Sequence, residues 1–478
     1  KSWFKIDQLY RKFIFHFKKS SQPTLLSGIA EMIENKYEND FLLRLNDAWQ
    51  NQLGSISDWK SSTIISQRSF YDNYIQNLLK KHNKAIVIIS DALRYEIGEE
   101  LQKKILERDR FEAKVEPLLS SIPSYTQLGM ASLLPKGDIG LSDFAKASIT
   151  HNDLPTVGIE NRKKALSNLV GSDRLHLCRA DDLLQLNADE TRSTIRDNDI
   201  IYIYHNRIDA IGDALKTENN VFEAVEESMK EIINLIRKLT SANANQIFIT
   251  SDHGFIFQNK DLDESDYLGA KPEGKEILYS DRRFILGKGL KETSSFKKFT
   301  SAQLGISNDF DILFPKSINR LRKSGSGSKF VHGGMSLQEI IIPVVSINKK
   351  RESDSSPVDI TILTGSSTTI STYQHSVKLY QELPVTEKTY SRTLKIGLYG
   401  DDGRLLSNQQ TIKFDIDSSN ARDRELKLQI LLSKDADNYN NKEVALKLEE
   451  QHGSTTHFKE YKTIKYILKL RQTLDFDI

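Results

Sequence analysis

The sequence predicts an α/β protein with a mostly parallel central sheet, preceded by a helical region and followed by a β-sandwich. Three observations support this. Apolar residues recur at helical spacing before residue 81, short apolar runs alternate with helical patterns over 81–350, and short strand patterns follow 351. Alternating strands and helices are typical of a parallel sheet covered by helices. We therefore expect three regions, 1–80, 81–350 and 351–478.

The first region has its apolar residues at helical spacing, as in Ile29, Met32, Ile33 and Tyr37. Basic and aromatic residues also alternate before residue 20. That pattern occurs in nucleic-acid-binding segments, but it is commoner in amphipathic helices with a solvated basic face, which we favour.

The central region contains five candidate strands, at 85–89, 112–117, 200–204, 246–250 and 340–345. The clearest helix spans 221–239, where Val225, Met229, Ile232 and Ile236 form one apolar stripe.

The last region begins after a charged and serine-rich linker near residue 350. Six short strand patterns follow, at 358–363, 376–379, 393–399, 411–415, 426–432 and 464–470, with a hairpin-type turn at 400–403. Such spacing is typical of a β-sandwich.

Composition restricts the function classes. The formal net charge of +2 over 478 residues is too balanced to indicate nucleic-acid or membrane binding by itself. No apolar stretch approaches the roughly 20 residues of a membrane span, and the single cysteine, Cys178, suits a reducing cytoplasm. Because the chain starts at Lys1 in what resembles mid-domain sequence, we expect a C-terminal fragment of a longer protein.

Asp91 lies where the strand at 85–89 stops and a helical pattern begins. In a parallel sheet that edge is where ligands bind. Capping of the following helix is an equally good explanation of Asp91 taken alone.

Thr126 begins a second helical pattern, two residues after Ser124. A hydroxyl at a helix start suits a nucleophile facing phosphate. Local sequence alone favours helix capping by either hydroxyl.

His205, Asp209 and Asp213 follow the strand at 200–204 at intervals of four. On a helix, the two aspartates share one face and could hold one cation. The alternative is a polar turn with solvated carboxylates.

Asp252 and His253 follow the strand at 246–250, and His332 precedes two glycines. Acids and histidines thus collect at the ends of strands that we expect to be neighbours. Mixed Asp, His and Thr donors suit Zn or Mn, whereas all-oxygen shells suit Mg or Ca. Paired metal ions stabilise in-line displacement at phosphorus.

The five stretches ISDALRYEIGEEL, PSYTQLGMASLLP, YHNRIDAIGD, TSDHGF and HGGMSLQEIIIPV resemble the PglZ domain, a branch of the alkaline phosphatase superfamily. They occur in the family's order across residues 81–345. The resemblance is greatest to the PglZ family of BREX bacteriophage-exclusion systems, type A, and it implies an alkaline-phosphatase-like α/β sandwich.

The resemblance also implies site residues. One metal ion would be held by Asp91, Thr126, Asp252 and His253, and the other by Asp209, Asp213 and His332. Thr126 would be the catalytic nucleophile. The superfamily commonly has His at the position of Asp213, which implies weaker binding there or a shift from Zn towards Mn or Mg.

The same resemblance leaves more than one role open for several further residues. His205 is a second catalytic candidate, as a spare ligand or a proton donor to the leaving group. Asn206, Arg207 and Arg282, or Arg283 instead, could contact phosphate oxygens, because arginine forks match phosphate geometry. Exposed arginines without a specific role are the alternative.

The implied function is metal-dependent phosphoryl transfer with two divalent ions, with Zn favoured over Mn or Mg. We expect a phosphodiesterase or nuclease of phage defence that acts on DNA or a nucleotide with other BREX components, in the cytoplasm and without a membrane. The alternatives are a phosphomonoesterase and a catalytically silent scaffold that binds other BREX components.

Overall fold

The computed structural model describes residues 2–21, 23–54, 56–171, 173–262, 264–323, 327–365, 367–453 and 455–470. The chain forms two compact units. One comprises Lys1–Ile105 and Phe111–Lys350, and the other comprises Leu106–Arg110 and Arg351–Ile478. The helices before residue 80 belong to the first unit. A separate helical region over residues 1–80 stays a prediction.

The α-helices are α1 (Phe4–Lys19), α2 (Pro23–Asn35), α3 (Arg44–Leu53), α4 (Gln76–Leu79), α5 (Tyr95–Leu106), α6 (Thr126–Ser132), α7 (Ile159–Val170), α8 (Ala180–Gln185), α9 (Ala188–Asp197), α10 (Arg207–Gly212), α11 (Val221–Ser241) and α12 (Leu337–Ile340). Two π-helical segments, Lys36–Leu43 and Tyr71–Ile75, join the early helices.

The strands of the first unit are β1 (Ile65–Ser66), β2 (Ala85–Ser90), β3 (Phe111–Leu119), β4 (Ile139–Asp143), β5 (Ser148–His151), β6 (Leu154–Pro155), β7 (Leu175–Arg179), β8 (Ile200–His205), β9 (Gln246–Thr250), β10 (Ile256–Phe257), β11 (Glu276–Ser280), β12 (Ile285–Lys288), β13 (Phe296–Thr300), β14 (Asp311–Pro315), β15 (Phe330–Val331) and β16 (Ile341–Lys349).

The central sheet has seven strands in the order β1-β3-β16-β9-β2-β8-β7. Strand β16 runs antiparallel to both of its neighbours, and the other pairings are parallel. The mostly parallel sheet is therefore confirmed, and the five predicted strands are all present in it. Strand β7 was not predicted, because as an edge strand with charged and polar residues it lacks a continuous apolar run.

Both faces of the sheet are covered. Every residue of β2 is buried; Ile86 and Ile88 pack into one core, while Val87 and Ile89 pack into another on the opposite face. Helix α11 lays its predicted apolar stripe on the first of these faces. This burial explains why strands of such sheets are apolar throughout.

Helix α1 is tied to the sheet layer by buried charges. Arg11 is fully buried and pairs with Glu96, Glu100 and Glu226. The favoured interpretation of a solvated basic face is therefore wrong for Arg11, which ties α1 to α5 and α11.

The first unit also contains a four-stranded antiparallel sheet, β11-β12-β14-β13, which was not predicted, and two smaller sheets, β4-β5-β6 and β10-β15. The short strands of the four-stranded sheet have little alternation of polar and apolar residues, as in EILYS and FKKFT. The turn between β11 and β12 carries Arg282 and Arg283.

The second unit contains β17 (Ser356–Pro357), β18 (Ile360–Leu363), β19 (Thr369–Ile370), β20 (Gln374–Gln381), β21 (Thr389–Tyr390), β22 (Arg392–Tyr399), β23 (Gln410–Phe414), β24 (Glu425–Leu431), β25 (Glu443–Gln451) and β26 (Phe458–Leu468). A three-stranded sheet, β18-β20-β24, and a five-stranded sheet, β19-β26-β25-β22-β23, share one hydrophobic core. This is the layering of a β-sandwich.

Among the described residues, no helix is both long enough and apolar enough to cross a membrane.

Candidate active site

The central sheet brings three strand ends together. In the order β9-β2-β8, Ile89 pairs with Thr250 and Ser90 pairs with His205. The next residues along these strands include Asp91 and Asp252. The carboxyl ends of the three parallel strands therefore place the predicted acids side by side, where α/β sheets bind ligands.

Asp91, Asp252 and His253 form a first donor group. One ligand atom from each lies within 4.8 Å of the others. The three residues are at most 4% exposed. Asp91 Oδ1 and Asp252 Oδ2 are buried without a hydrogen-bond partner among the described residues. Buried carboxylate oxygens are stable only if something positive pairs with them.

The first donor group is held in place by hydrogen bonds. Asp252 Oδ1 accepts from the backbone N–H groups of His253 (2.9 Å) and Ala92 (3.2 Å). His253 Nδ1 lies 2.9 Å from the Gly254 carbonyl oxygen, to which only a protonated nitrogen can donate. The Nε2 lone pair therefore faces Asp252 Oδ2 at 3.4 Å and Asp91 Oδ1 at 3.5 Å. An outer hydrogen bond of this kind fixes the tautomer of metal-binding histidines.

Asp209, His253 and His332 form a second donor group, again with ligand atoms within 4.8 Å of one another. Asp209 Oδ1 lies 3.6 Å from His332 Nε2, and both side chains are about one-sixth exposed, at 17% and 16%. The imidazoles of His253 and His332 stack with their centroids 4.2 Å apart. Since His253 belongs to both groups, the two groups adjoin.

The charges of the site repel one another. Burial and the carboxylates of Asp252 and Asp209 raise the pKa of Asp91 well above its ordinary value. Burial raises the pKa of Asp209 to about 6, and burial with the neighbouring His253 lowers the pKa of His332 to about 3. A divalent cation reverses the two carboxyl shifts by favouring ionised carboxylates, and it binds the neutral imidazole that the lowered pKa of His332 already favours. The donor set therefore fits divalent metal ions.

Thr126 begins α6, and its Oγ1 lies 3.2 Å from His253 Nε2. Its side chain does not cap the helix, whose N-cap is Tyr125. The Ser124 hydroxyl donates to the Gly334 carbonyl oxygen (2.7 Å). Helix capping, which local sequence favoured for these hydroxyls, is therefore wrong, and Thr126 faces the donor groups.

Asp213 and Arg282 pair with each other and are part of neither donor group. The Asp213 side chain is 52% exposed. The Arg282 guanidinium also donates to the carbonyl oxygens of Gly327 and Phe330 (3.2 Å for the latter). Arg283 is buried and forms an ion pair with the buried Glu339. Both arginines thus have protein partners in this structure.

His205 and Arg207 converge on Glu231 of α11. His205 Nε2 lies 2.9 Å from Glu231, and its Nδ1 lies 3.0 Å from the Ser90 hydroxyl. Arg207 Nε donates to Glu231 at 2.8 Å. The hydrogen bond from His205, with help from Arg207, lowers the pKa of Glu231 to about 2. Both nitrogens of His205 are engaged, which makes it a poor metal ligand.

A cleft of about 640 Å³, here called the side cleft, opens beside Asp91 and Thr126. Its other charged or polar lining residues are Gln127, Arg162, Arg179, Asp181, Tyr204, His205, Asn206, Arg207 and Glu231. Asn206 therefore lies on the cleft wall, as its predicted phosphate contact requires.

Sequence reasoning missed Glu231 and Arg162. Glu231 lies on the polar side of α11, where a carboxylate is ordinary, and Arg162 lies in the charged run ENRKK of α7. Neither follows a strand, so neither carries the strand-end signal that identified the donor groups.

Residues 70–347 match the family of BREX system PglZ alkaline phosphatase-like domains. The chain is 32% identical over 478 residues to the alkaline phosphatase-like protein BrxZ of Escherichia coli O9:H4 (strain HS), covering 96% of this chain and 54% of that protein. It is 31% identical over 484 residues to the alkaline phosphatase-like protein PglZ of Bacillus cereus (strain H3081.97), covering 98% and 55%. The chain thus spans about half the length of these relatives.

Among solved structures, murine ectonucleotide pyrophosphatase/phosphodiesterase 5 is similar over 55% of this chain and 88% of that chain, at 10% identity and a TM-score of 0.37. This likeness is too low to support an inference about activity.

Proposed function

Because the chain belongs to the family of BREX system PglZ alkaline phosphatase-like domains, we propose that it is a metal-dependent phosphoryl-transfer enzyme that hydrolyses phosphodiesters. The observation that carries this proposal is that the two donor groups meet at His253, whose Nε2 lies 3.2 Å from the Thr126 hydroxyl. Carboxylate oxygens without hydrogen-bond partners, next to a nucleophile-bearing residue at a helix start, are what such chemistry requires.

The chain's own residues take distinct roles in this proposal. Asp91, Asp252 and His253 hold one metal ion, and Asp209 and His332 hold a second, with His253 between them. The metal ions, when bound, favour ionisation of the nucleophile and stabilise negative charge on the entering and leaving oxygens. Zn suits these nitrogen and oxygen donors best, with Mn and Mg as alternatives.

Thr126 is the nucleophile in this scheme. The hydroxyl loses its proton as Oγ1 attacks phosphorus, the bond from phosphorus to the leaving oxygen breaks and that oxygen takes up a proton, and water then hydrolyses the phosphothreonine and restores the hydroxyl. The side cleft, with Asn206 and Arg207 on its wall, gives the part of the substrate beyond the scissile phosphate a place to lie. This room favours a diester, such as DNA or a nucleotide derivative, over a small monoester.

The direct test is hydrolysis of bis-p-nitrophenyl phosphate and p-nitrophenyl phosphate with Zn, Mn and Mg in turn. We expect preference for the diester, loss of turnover in Thr126→Val, and retention of most of it in Thr126→Ser, which keeps the hydroxyl. Preference for the monoester would assign a phosphomonoesterase instead. Equal turnover by Thr126→Val and the wild type would remove Thr126 from the nucleophile role.

A second candidate function is that of a scaffold that binds other BREX components. Under either function, we propose that the protein works with those components in the cytoplasm. The relatives are about twice as long as this chain, which leaves them room for further contacts. No turnover with any of the three metals, together with phage protection by the Thr126→Val variant in a complete BREX system, would favour the scaffold over the enzyme.

A further inference from the structure

Arg162 is an unusual arginine in the wall of the side cleft. It is 8% exposed. Its Nε is buried without an acceptor, and none of the carboxylates that the structure describes pairs with it. Its guanidinium carbon lies 4.4 Å from the centroid of the Tyr204 ring, a stacking that fixes its plane. A buried guanidinium without a counter-charge is costly unless a ligand supplies one.

The surroundings of Arg162 also attract anions. Gly158 and Ile159, at the N-terminus of the twelve-residue helix α7, line the same cleft. Free N–H groups and the positive end of the helix dipole favour anions there. Exposed Arg179 adds a second positive charge, and exposed Asp181 is the carboxylate that opposes it.

The carboxylates deeper in the side cleft belong to other groups of residues. Glu231 is shared by His205 and Arg207, and Asp91 is part of the first donor group. Arg162 and Asp91 line the same cleft. The unpaired charge of the cleft thus lies next to the donor groups.

We propose that the side cleft binds a second phosphate group of the substrate, one linkage away from the phosphate at Thr126, and that Arg162 selects for it. The proposal rests on the proposed function, and it narrows the substrate class to compounds with neighbouring phosphates. A nucleic-acid strand and a nucleoside polyphosphate share this chemistry.

Binding to the metal-free protein tests the proposal without any turnover. In EDTA, calorimetry compares thymidine 3′,5′-bisphosphate with thymidine 5′-monophosphate. We expect the wild type to bind the bisphosphate more tightly, and Arg162→Gln to lose roughly tenfold to hundredfold of that affinity, as for a lost hydrogen bond to a charged group. Lys164→Gln, which removes an exposed charge from the same helix, keeps the affinity, and Arg162→Lys keeps part of it.

ADP identifies the source of the second phosphate. If the protein binds thymidine 3′,5′-bisphosphate but not ADP, the two phosphates of the substrate are spaced as in a nucleic-acid strand. If it binds ADP but not the bisphosphate, the substrate is a nucleoside polyphosphate. Equal affinity of the wild type for mono- and bisphosphates, or an unchanged preference in Arg162→Gln with a wild-type circular dichroism spectrum, overturns the proposal. If Arg162→Gln does not fold, Arg162→Lys decides: an unchanged preference overturns the proposal and a partial loss supports it.

Hydrolysis separates this proposal from the proposed function. With metal, Arg162→Gln should cleave TpT within about twofold of the wild-type rate and pTpT roughly tenfold to hundredfold more slowly by kcat/KM. Equal losses on both dinucleotides would place Arg162 at the scissile phosphate and overturn the second-phosphate assignment. Absence of wild-type turnover on any diester would contradict the proposed function. The metal-free binding experiment would still test whether the side cleft binds a second phosphate.

Discussion

The two donor groups differ in how firmly the fold holds them. In the first donor group, Asp252 accepts two backbone hydrogen bonds and His253 is fixed by the Gly254 carbonyl oxygen. In the second donor group, Asp209 Oδ1 and His332 Nδ1 have no hydrogen-bond partner among the described residues, and both side chains are partly exposed. Preorganised ligands bind metal more tightly, so the first group should fill first.

The difference follows from the elements that carry each group. Asp91, Asp252 and His253 directly follow adjacent strands of the central sheet, whose register fixes their backbone. Asp209 lies in the six-residue helix α10, and His332 follows the two-residue strand β15. A sheet edge is thus the rigid half of the site, and short elements form the adaptable half.

The largest expected effect is that of Asp252→Asn. Asparagine keeps the shape and the acceptor oxygen but removes the charge that a metal ion needs. We expect metal to be lost from the first donor group and kcat/KM for bis-p-nitrophenyl phosphate to fall by more than about a hundredfold, beyond the range seen for outer-shell changes. Elemental analysis and steady-state kinetics measure both.

The matched control for this change is Asp189→Asn, which alters a carboxylate of α9 that is 92% exposed and does not line the side cleft. It should retain both metal content and turnover. Full metal content in Asp252→Asn would contradict the assignment of Asp252 as a ligand.

A smaller loss is expected from Asp209→Asn, because the second donor group is the less preorganised. The variant should keep one metal ion per chain and bind the other roughly tenfold to hundredfold more weakly. Metal titration by calorimetry gives the stoichiometry and both affinities. Loss of both ions at once would show that the groups act as one site.

The same variant tests the buried charge in the metal-free protein. The pKa of Asp209 is raised from 3.8 to about 6 on folding, so its ionisation destabilises the fold as pH rises through this window. In EDTA, Asp209→Asn should therefore be more stable than the wild type at pH 7.5, by on the order of 2 kcal/mol, and equally stable at pH 3.5. Urea unfolding at the two pH values measures the difference.

Added Zn reverses the order at pH 7.5, because the wild-type carboxylate then has a cation to pair with and ligand binding stabilises the fold. Equal stability of the two proteins at both pH values in EDTA would mean that Asp209 is hydrated rather than confined by its neighbours.

Much of this architecture was predictable because strand ends carry a strong local signal. The apolar run before Asp91 and the one before Asp252 both predict a buried strand, and parallel topology then brings their ends together. Partners distant in sequence carry no such signal. Nothing near Glu231 or Arg162 indicates that either lines the cleft, because their positions depend on how α11 and α7 pack.

Asp213 shows the limit of arguments from spacing. Its interval of four from Asp209 predicts a shared helix face, and its backbone N–H does donate to the Asp209 carbonyl oxygen (2.9 Å), but Arg282 pairs with the Asp213 carboxylate. That pairing was invisible in the sequence, since the two residues are 69 positions apart.

The smallest effect is therefore expected from Asp213→Asn. The Asp213 side chain is half exposed, and its buried partner Arg282 keeps the Gly327 and Phe330 carbonyl oxygens as acceptors, so the loss of Asp213 should lower stability by only on the order of 1 kcal/mol. Metal affinity should stay within roughly fivefold of the wild type, a smaller change than the one expected in Asp209→Asn. Arg282→Gln is the matched variant, because it frees Asp213 instead of removing it. Tighter binding of the second ion in Arg282→Gln, with a loss in Asp213→Asn as large as that in Asp209→Asn, would mean that Asp213 exchanges Arg282 for the metal.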